Sequence, residues 1–270
     1  MRLTKEQRFL YTRIAILVAM VGWIVFAFAG LRGFPFWYGG FVLCFWFCAG
    51  LSNYQQKSSV WLASNRRGTF LLLLAAYAGG AFLFDQFGLY ANLWFHPLYS
   101  GWGLLWVYVV LYPFAGLACL ELLYFLAHLM GERLLFVHRK ETLWHHGIDA
   151  VESALFVLMG GAALLGIMDK VSVSAVLLIS LLWVLSAGVK LFLHTRHAKH
   201  YTLIVIVSFL IAALLHEMPN TGAFEWIYLD APALNGLIWF LPLWVWLGYS
   251  WLLLFTLRLW IFLVLHPKVK

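Results

Sequence analysis

Runs of apolar residues long enough to cross a bilayer follow one another through this chain, and they constrain its fold more than any motif does. They fall at about 11–30, 35–51, 69–88, 103–130, 149–168, 172–193, 201–217 and 236–265. A transmembrane helix needs roughly 20 apolar residues, so these runs and their short connectors use up the chain and leave no room for a soluble domain. Composition agrees. Hydrophobic residues make up 64% of the chain, charged ones 11%, and the mean hydropathy is +0.88; soluble domains carry near a quarter charged residues. The sequence therefore predicts an all-α polytopic transmembrane helical bundle of about eight spans, a single integral membrane domain over residues 1–270.

The net charge of +7 would suit a nucleic-acid partner if it were clustered, but it sits in the connectors and alternates between them. One set of connectors holds the basic N-terminus, Lys57, Arg66, Arg67, Arg133, Arg139, Lys140, Arg196, Lys199, Lys268 and Lys270; the other holds Arg32 and Lys170. The positive-inside rule then puts both termini in the cytoplasm of a bacterial inner membrane, with membrane lipids, other membrane subunits and no nucleic acid as partners. The first run carries Ala27-Phe28-Ala29, which resembles a signal cleavage site. The run is longer than a signal core, so a retained helix is expected. Cys44, Cys48 and Cys119 lie within apolar runs and read as small packed side chains rather than a thiol site or disulfide.

The stretch Asp85 to Glu132 is echoed near the C-terminus. Gly103-Leu-Leu-Trp106 matches Gly236-Leu-Ile-Trp239, and Arg66-Arg67-Gly-Thr69 matches Lys199-His200-Tyr-Thr202. The two matches share one offset, since 236 − 103 equals 199 − 66. An even number of spans per half makes the halves, 1–135 and 136–270, two parallel four-helix repeats related by an axis along the membrane normal. Chance matches in Leu/Trp-rich sequence are the competing account. The fourth and eighth runs are too long for one bilayer thickness, and each contains a proline, Pro113 and Pro242, expected to bend it. Trp94, Trp102, Trp226 and Tyr228 in the outer loops read as an interfacial aromatic belt.

Ionisable residues at the outer ends of the third and seventh runs form the first candidate site: Asp85, His96, His216, Glu217, Glu225 and Asp230. Carboxylates with histidines can relay protons, hold a divalent metal, or do acid–base work on a substrate entering from lipid. The plainer account is that outer loops need polar residues and that Asp85 and Glu217 end helices in the headgroup layer. A second group, on the cytoplasmic side, contains Glu121, His128, Glu132, His138, His145, His146, Asp149 and Glu152. Within it His145, Asp149 and Glu152 are the candidate metal ligands, against a reading as helix capping. His194, His197 and His200 lie among Arg196 and Lys199, which suits anionic headgroups better than a metal. Glu121 and Arg258 either bridge the two halves or snorkel separately.

Aromatic residues make up 19% of the chain. Trp46, Trp106, Trp183, Trp239, Trp244, Trp246 and Trp251 fall inside runs, where aromatic faces can line a slot for a long apolar ligand or pack against lipid. The sequence carries no phosphate-binding loop, HExxH, GxSxG or DxxxD. Three functions stay open: an enzyme modifying a lipid or isoprenoid at the outer carboxylate–histidine cluster, a non-catalytic subunit or assembly factor of a redox or pigment complex, and a small-solute transporter. The last needs a polar path through the bilayer centre, for which few residues are available.

Overall fold

The computed structural model describes residues 4–29, 37–55, 67–131, 154, 178, 181–186, 198–229, 236–238 and 240–260. The described chain is helical apart from two short ribbons. We number the elements α1 (Lys5–Phe28), α2 (Trp37–Gln55), α3 (Arg67–Tyr90), β1 (Trp94–Phe95), α4 (Trp102–Leu129), α5 (Ala198–Ala223), β2 (Ile227–Tyr228), β3 (Leu237–Ile238), β4 (Leu241–Pro242) and α6 (Leu243–Trp260). Five helices, α1, α3, α4, α5 and α6, are long and apolar enough to cross a membrane. The predicted span at 35–51 appears as α2, a helix of 19 residues whose apolar content is largely aromatic. Of the predicted spans at 149–168 and 172–193, the described residues are 154, 178 and a helical turn at 181–186, whose Trp183 is buried in the core.

α4 is the axis of the bundle and packs against α2, α3, α5 and α6, while α1 lies outside against α2 and α5. The side chains follow this placement. α1 buries Ala27 and presents Leu10, Ile14, Leu17, Val18, Val21 and Val25 outward, as a lipid-facing helix would. α4 buries an almost continuous run from Ala115 to Leu123. A helix apolar on every side is stable only when other apolar matter surrounds it. α1 begins with a capping box: Gln7 N donates to Thr4 Oγ1 at 3.2 Å, and Thr4 N donates to Gln7 Oε1 at 2.9 Å. Two of its first-turn donors are thereby satisfied locally.

Pro113, Pro219 and Pro242 each leave a different mark. Pro113 follows a π-helical turn, Val107–Leu111, inside α4; the wider turn accommodates a residue that lacks an N–H and crowds the preceding carbonyl. Pro219 sits inside α5, which runs on to Ala223 rather than ending at 217 as the sequence suggests. Pro242 does not bend a helix. It closes the β3–β4 hairpin, in which Leu237 pairs with Pro242 and Ile238 with Leu241, and α6 starts at Leu243 rather than 236. A residue before proline is pushed to extended backbone, so Leu241 is not helical as expected. Gly236 accordingly leads into a hairpin, whereas Gly103 lies in the first turn of α4.

α3 and α5 each end in a turn with one non-glycine residue at positive φ, Asn92 (51°) and Phe224 (55°). Those turns carry the chain into β1 and β2, which pair antiparallel in the register Trp94↔Tyr228 and Phe95↔Ile227. Leu229 N extends the ladder by donating to Leu93 O at 2.7 Å. This ribbon joins two loops that are remote in sequence and covers one end of the bundle.

Candidate functional site

Beneath the ribbon, three buried carboxylates lie close to one aromatic-walled cavity. Asp85 is in the last two turns of α3 and is fully buried. Trp94 Nε1 and Tyr112 OH donate to its Oδ1 at 2.7 and 3.2 Å, and Tyr108 OH donates to Oδ2 at 2.7 Å. His96 Nε2 lies 3.1 Å from Oδ1 and 3.3 Å from Oδ2. Four side chains from β1, the residue after it and α4 thus converge on one carboxylate, the kind of compensation a buried charge requires. The sequence supplies it in two ways. Gly88 carries no side chain where a Cβ would overlap the Trp94 indole, so the ring can fold back over α3. The π turn followed by Tyr112 leaves the rings of Tyr108 and Tyr112 stacked, 6.4 Å apart and 7° from parallel, with both hydroxyls on Asp85.

Glu217, near the end of α5, repeats this arrangement with different donors. Trp226 Nε1, at 3.3 Å, and the hydroxyls of Tyr228 and Tyr249 all donate to its Oε1. The sequence intervals match. In each half the carboxylate is bound by the indole nine positions on and by the ring eleven positions on, Trp94 and His96 in one, Trp226 and Tyr228 in the other. Trp94 and His96 are thus displaced from Trp226 and Tyr228 by the interval that separates the two carboxylates, 217 − 85.

Glu225 lies in the loop after α5. Asn220 shapes that loop: its Oδ1 accepts from Glu225 N at 3.0 Å and from Trp226 N at 3.3 Å, and its Nδ2 donates to Trp226 O at 2.9 Å. Glu225 Oε1 accepts from Tyr38 N at 3.2 Å, in the first turn of α2, where a helix N-terminus favours negative charge. Burial nevertheless raises the Glu225 carboxyl above its ordinary range, against the lowering effect of Tyr99, the Tyr38 N–H and His96. Tyr99 is itself pushed upward, first by burial and then by Glu225.

His216, one residue before Glu217, is 1% exposed. Its ring sits among Tyr38, Phe41, Phe45 and Tyr249, with centroids 5.4 to 6.4 Å away. Neither ring nitrogen has a hydrogen-bond partner among the described residues. The cavity has a volume of about 110 Å³ and is lined by His216, His96, Glu225, Tyr38, Tyr99, Tyr112, Tyr228, Tyr249, Trp94, Trp226 and Trp244, with aliphatic side chains between them. No Lys or Arg is among its described lining residues. Tyr112, which holds Asp85, and Tyr228 and Tyr249, which hold Glu217, therefore meet at one space.

Of the residues singled out from sequence, Asp85, His96, His216, Glu217 and Glu225 come together at this end of the bundle. Asp230 and the candidate ligands His145, Asp149 and Glu152 lie outside the described residues. Among the described residues no group of three His, Cys, Asp or Glu could hold a metal ion. The indole N–H groups of Trp94 and Trp226 both donate to buried carboxylates, and that of Trp226 also donates to Tyr228 OH at 2.8 Å. Trp102, 86% exposed, keeps the surface position expected of a belt. Glu121 pairs with a residue that the sequence alone does not single out: Asn53 Nδ2 donates to both Glu121 O and Oε2 at 2.7 Å. Sequence reasoning also misses Tyr108, Tyr112 and Tyr249. The repeated carboxylate-x8-Trp-x-aromatic pattern points to Trp94, His96, Trp226 and Tyr228 but not to these three tyrosines. Comparison with known protein families, curated proteins and solved structures returned no match, so function has to be argued from the chemistry of this cavity.

Proposed function

We propose that this chain is an integral membrane enzyme that carries out acid–base chemistry on a lipid or isoprenoid admitted to the cavity beneath the β1–β2 ribbon. One observation carries the reading: two carboxylates, each bound by at least three side-chain donors, are buried behind Trp94, Tyr112, Trp226, Tyr228 and Tyr249, which line an aromatic cavity with no Lys or Arg among its described lining residues. Electron-rich ring faces and fixed negative charge favour a substrate that becomes positive as it reacts. Asp85, Glu217 and Glu225 supply the carboxyl groups for proton transfer, with His96 and His216 beside them. The aromatic walls fit an apolar body, and the small cavity fits its reacting portion. The test is to reconstitute the protein in lipid nanodiscs, add total lipid extract in D2O, and compare the lipids by mass spectrometry with those from Asp85→Asn and Glu217→Gln. A species that is consumed, formed or deuterated by the wild type and spared by both variants is expected. Identical lipid profiles in all three samples would refute an acid–base role.

A second reading, a non-catalytic subunit of a larger membrane complex, draws on a different feature. Trp102, Leu105, Trp106 and Val109 make an exposed stripe along the start of α4, which suits a neighbouring membrane protein as well as lipid. Stoichiometric foreign subunits in a gently extracted particle would favour it.

We further propose that the bundle contains two parallel repeats. The matched carboxylate–Trp–aromatic pattern supports duplication, and so does the pairing of β1 with β2, strands that fall at equivalent places in the two halves. An experimental structure in which residues 149–193 do not form two helices, related to α1 and α2 as α5 is to α3, would overturn it. The charge pattern supports a bacterial inner membrane location with both termini in the cytoplasm and the ribbon on the outer side. Labelling of a cysteine placed at Thr4 by an impermeant reagent from outside intact cells, in a background without the native cysteines, would exclude that orientation.

A further inference from the structure

His216 is a polar group in this site that no other residue accounts for. It lies in a span, is almost fully buried, lines the cavity, and offers both ring nitrogens to nothing among the described residues. A neutral imidazole has one donor and one acceptor. Leaving both unmade in a low-dielectric interior is costly, and native proteins rarely do so without a ligand, ion or water to fill the role. Its surroundings sharpen the point. Tyr38, Phe41, Phe45 and Tyr249 hold the ring by their faces and edges, so it is fixed in place without using its nitrogens. The hydroxyl of Tyr249, the polar atom of the ring stacked on it, is committed to Glu217.

A second unused donor belongs to another residue that lines the same cavity. Trp244 Nε1 is buried without a partner among the described residues, although its ring is held by Trp94, stacked at 6.0 Å, and by Tyr228, edge-on at 5.2 Å. Tyr228 and Tyr249, both bound to Glu217, stand against Trp244 and His216 respectively. The cavity thus presents two open hydrogen-bonding positions flanking the Glu217 network, and Glu225 Oε2, buried without a partner among the described residues, adds an open acceptor to the same lining.

From this we infer that the occupant of the cavity is not a pure hydrocarbon but a long apolar molecule bearing a hydroxyl or carbonyl oxygen, which His216 binds and Trp244 can reach on the other side of the tyrosine pair. The inference rests on the reading of this cavity as a substrate site, and it narrows the substrate class. His216 is on this view a specificity-determining residue. A site built for a hydrogen-bonding oxygen rejects the analogue without it, because its own polar groups are then left buried and unmade.

The test compares two probes on the full chain in nanodiscs: geranylgeraniol, and the hydrocarbon of the same carbon skeleton with the hydroxyl removed. Bound probe is counted by native mass spectrometry after ejection from the disc. The alcohol is expected to bind roughly ten-fold or more tightly than the hydrocarbon, the discrimination of one well-made hydrogen bond in a buried site. In His216→Phe, which preserves the aromatic packing, the ratio should fall toward one through loss of alcohol binding, with hydrocarbon binding retained. Equal binding of the two probes by the wild type overturns the inference without any variant, and so does an unchanged ratio in a folded His216→Phe protein. Because the readout is binding, it separates from the enzymatic reading. Equal binding together with lipid turnover rejects the oxygen requirement alone, whereas failure of both probes to bind rejects the cavity as a site for such molecules.

Discussion

Asp85→Asn is the substitution whose consequence can be worked out most fully from the structure. With its amide oxygen at the Oδ1 position, the asparagine still accepts from Trp94, Tyr112 and His96, but as a neutral group. Its NH2 then faces the Tyr108 hydroxyl, which already accepts from Gln86 Nε2 at 3.1 Å. Two donors meet one oxygen, and the Tyr108 proton, which had gone to Oδ2 at 2.7 Å, loses its acceptor. Hydrogen bonds to a charged group contribute about 1.5–3 kcal/mol each and neutral ones about 0.5–1.5. Weakening three bonds and losing a fourth, offset by no longer burying a charge, leaves a net cost of about 2–3 kcal/mol. Asp85→Ala, which strips all four partners, should cost about 3–5 kcal/mol. Equilibrium unfolding in bicelles by steric trapping gives both values. Tyr108→Phe provides the sharper check, because in the Asn background its bond is already lost. The double variant should be less destabilised than the sum of the singles by about 1 kcal/mol. Additivity within about 0.5 kcal/mol, or an Asp85→Asn protein as stable as wild type, would show that these bonds are not coupled as described.

Three further outcomes follow from the same structure. Gly88→Ala should destabilise by roughly 1–3 kcal/mol because its Cβ meets the Trp94 ring, whereas Gly79→Ala, in the same helix with open space around it, should be neutral or stabilising by up to about 1 kcal/mol; equal effects on thermal stability would contradict the close packing of the indole. Because the folded Glu225 carboxyl is raised above its ordinary range, its contribution to stability is fully present below the ordinary carboxylate pKa and is lost as pH rises through the folded value. Glu225→Gln should therefore flatten the stability–pH profile above the ordinary carboxylate range, and a parallel profile would exclude the effect. Asn53→Leu removes the amide that binds Glu121 and should cost about 3 kcal/mol, with Glu121→Gln in the same chain recovering part of the loss; an unaltered denaturation midpoint in Asn53→Leu would contradict that pairing.

Much of this architecture is legible in the amino-acid order because length and apolarity alone mark a helix that can cross hydrocarbon. The site is partly legible for a related reason. Asp85, His216 and Glu217 are ionisable residues at the ends of apolar runs, and such residues need partners wherever they are buried. Their partners are harder to see. A tyrosine in an apolar stretch, such as Tyr108 or Tyr249, has the same local sequence whether it faces lipid or a carboxylate on another helix. Trp94 and Trp226 look like belt residues in sequence because loop tryptophans near a membrane usually are. The hairpin at Leu237–Pro242 looks like helix because a short apolar run fits either state by periodicity, although Pro242 disfavours helical backbone at the residue before it. The Gly103/Gly236 and Trp106/Trp239 sequence matches differ by one position from the register in which the site residues repeat, so the sequence echo does not align the chemistry.

The partners of the two principal carboxylates are all local to their own half. Asp85 is bound by residues between 94 and 112, and Glu217 by residues between 226 and 249. During synthesis the first half therefore emerges with everything needed to shelter its buried acid, long before the second acid is made. The ribbon between β1 and β2 cannot form until the later loop arrives. Asp85 and Glu217 can thus each be sheltered as their own part of the chain is inserted, whereas Glu225, whose partner is Tyr38 N, and the β1–β2 ribbon need both parts together.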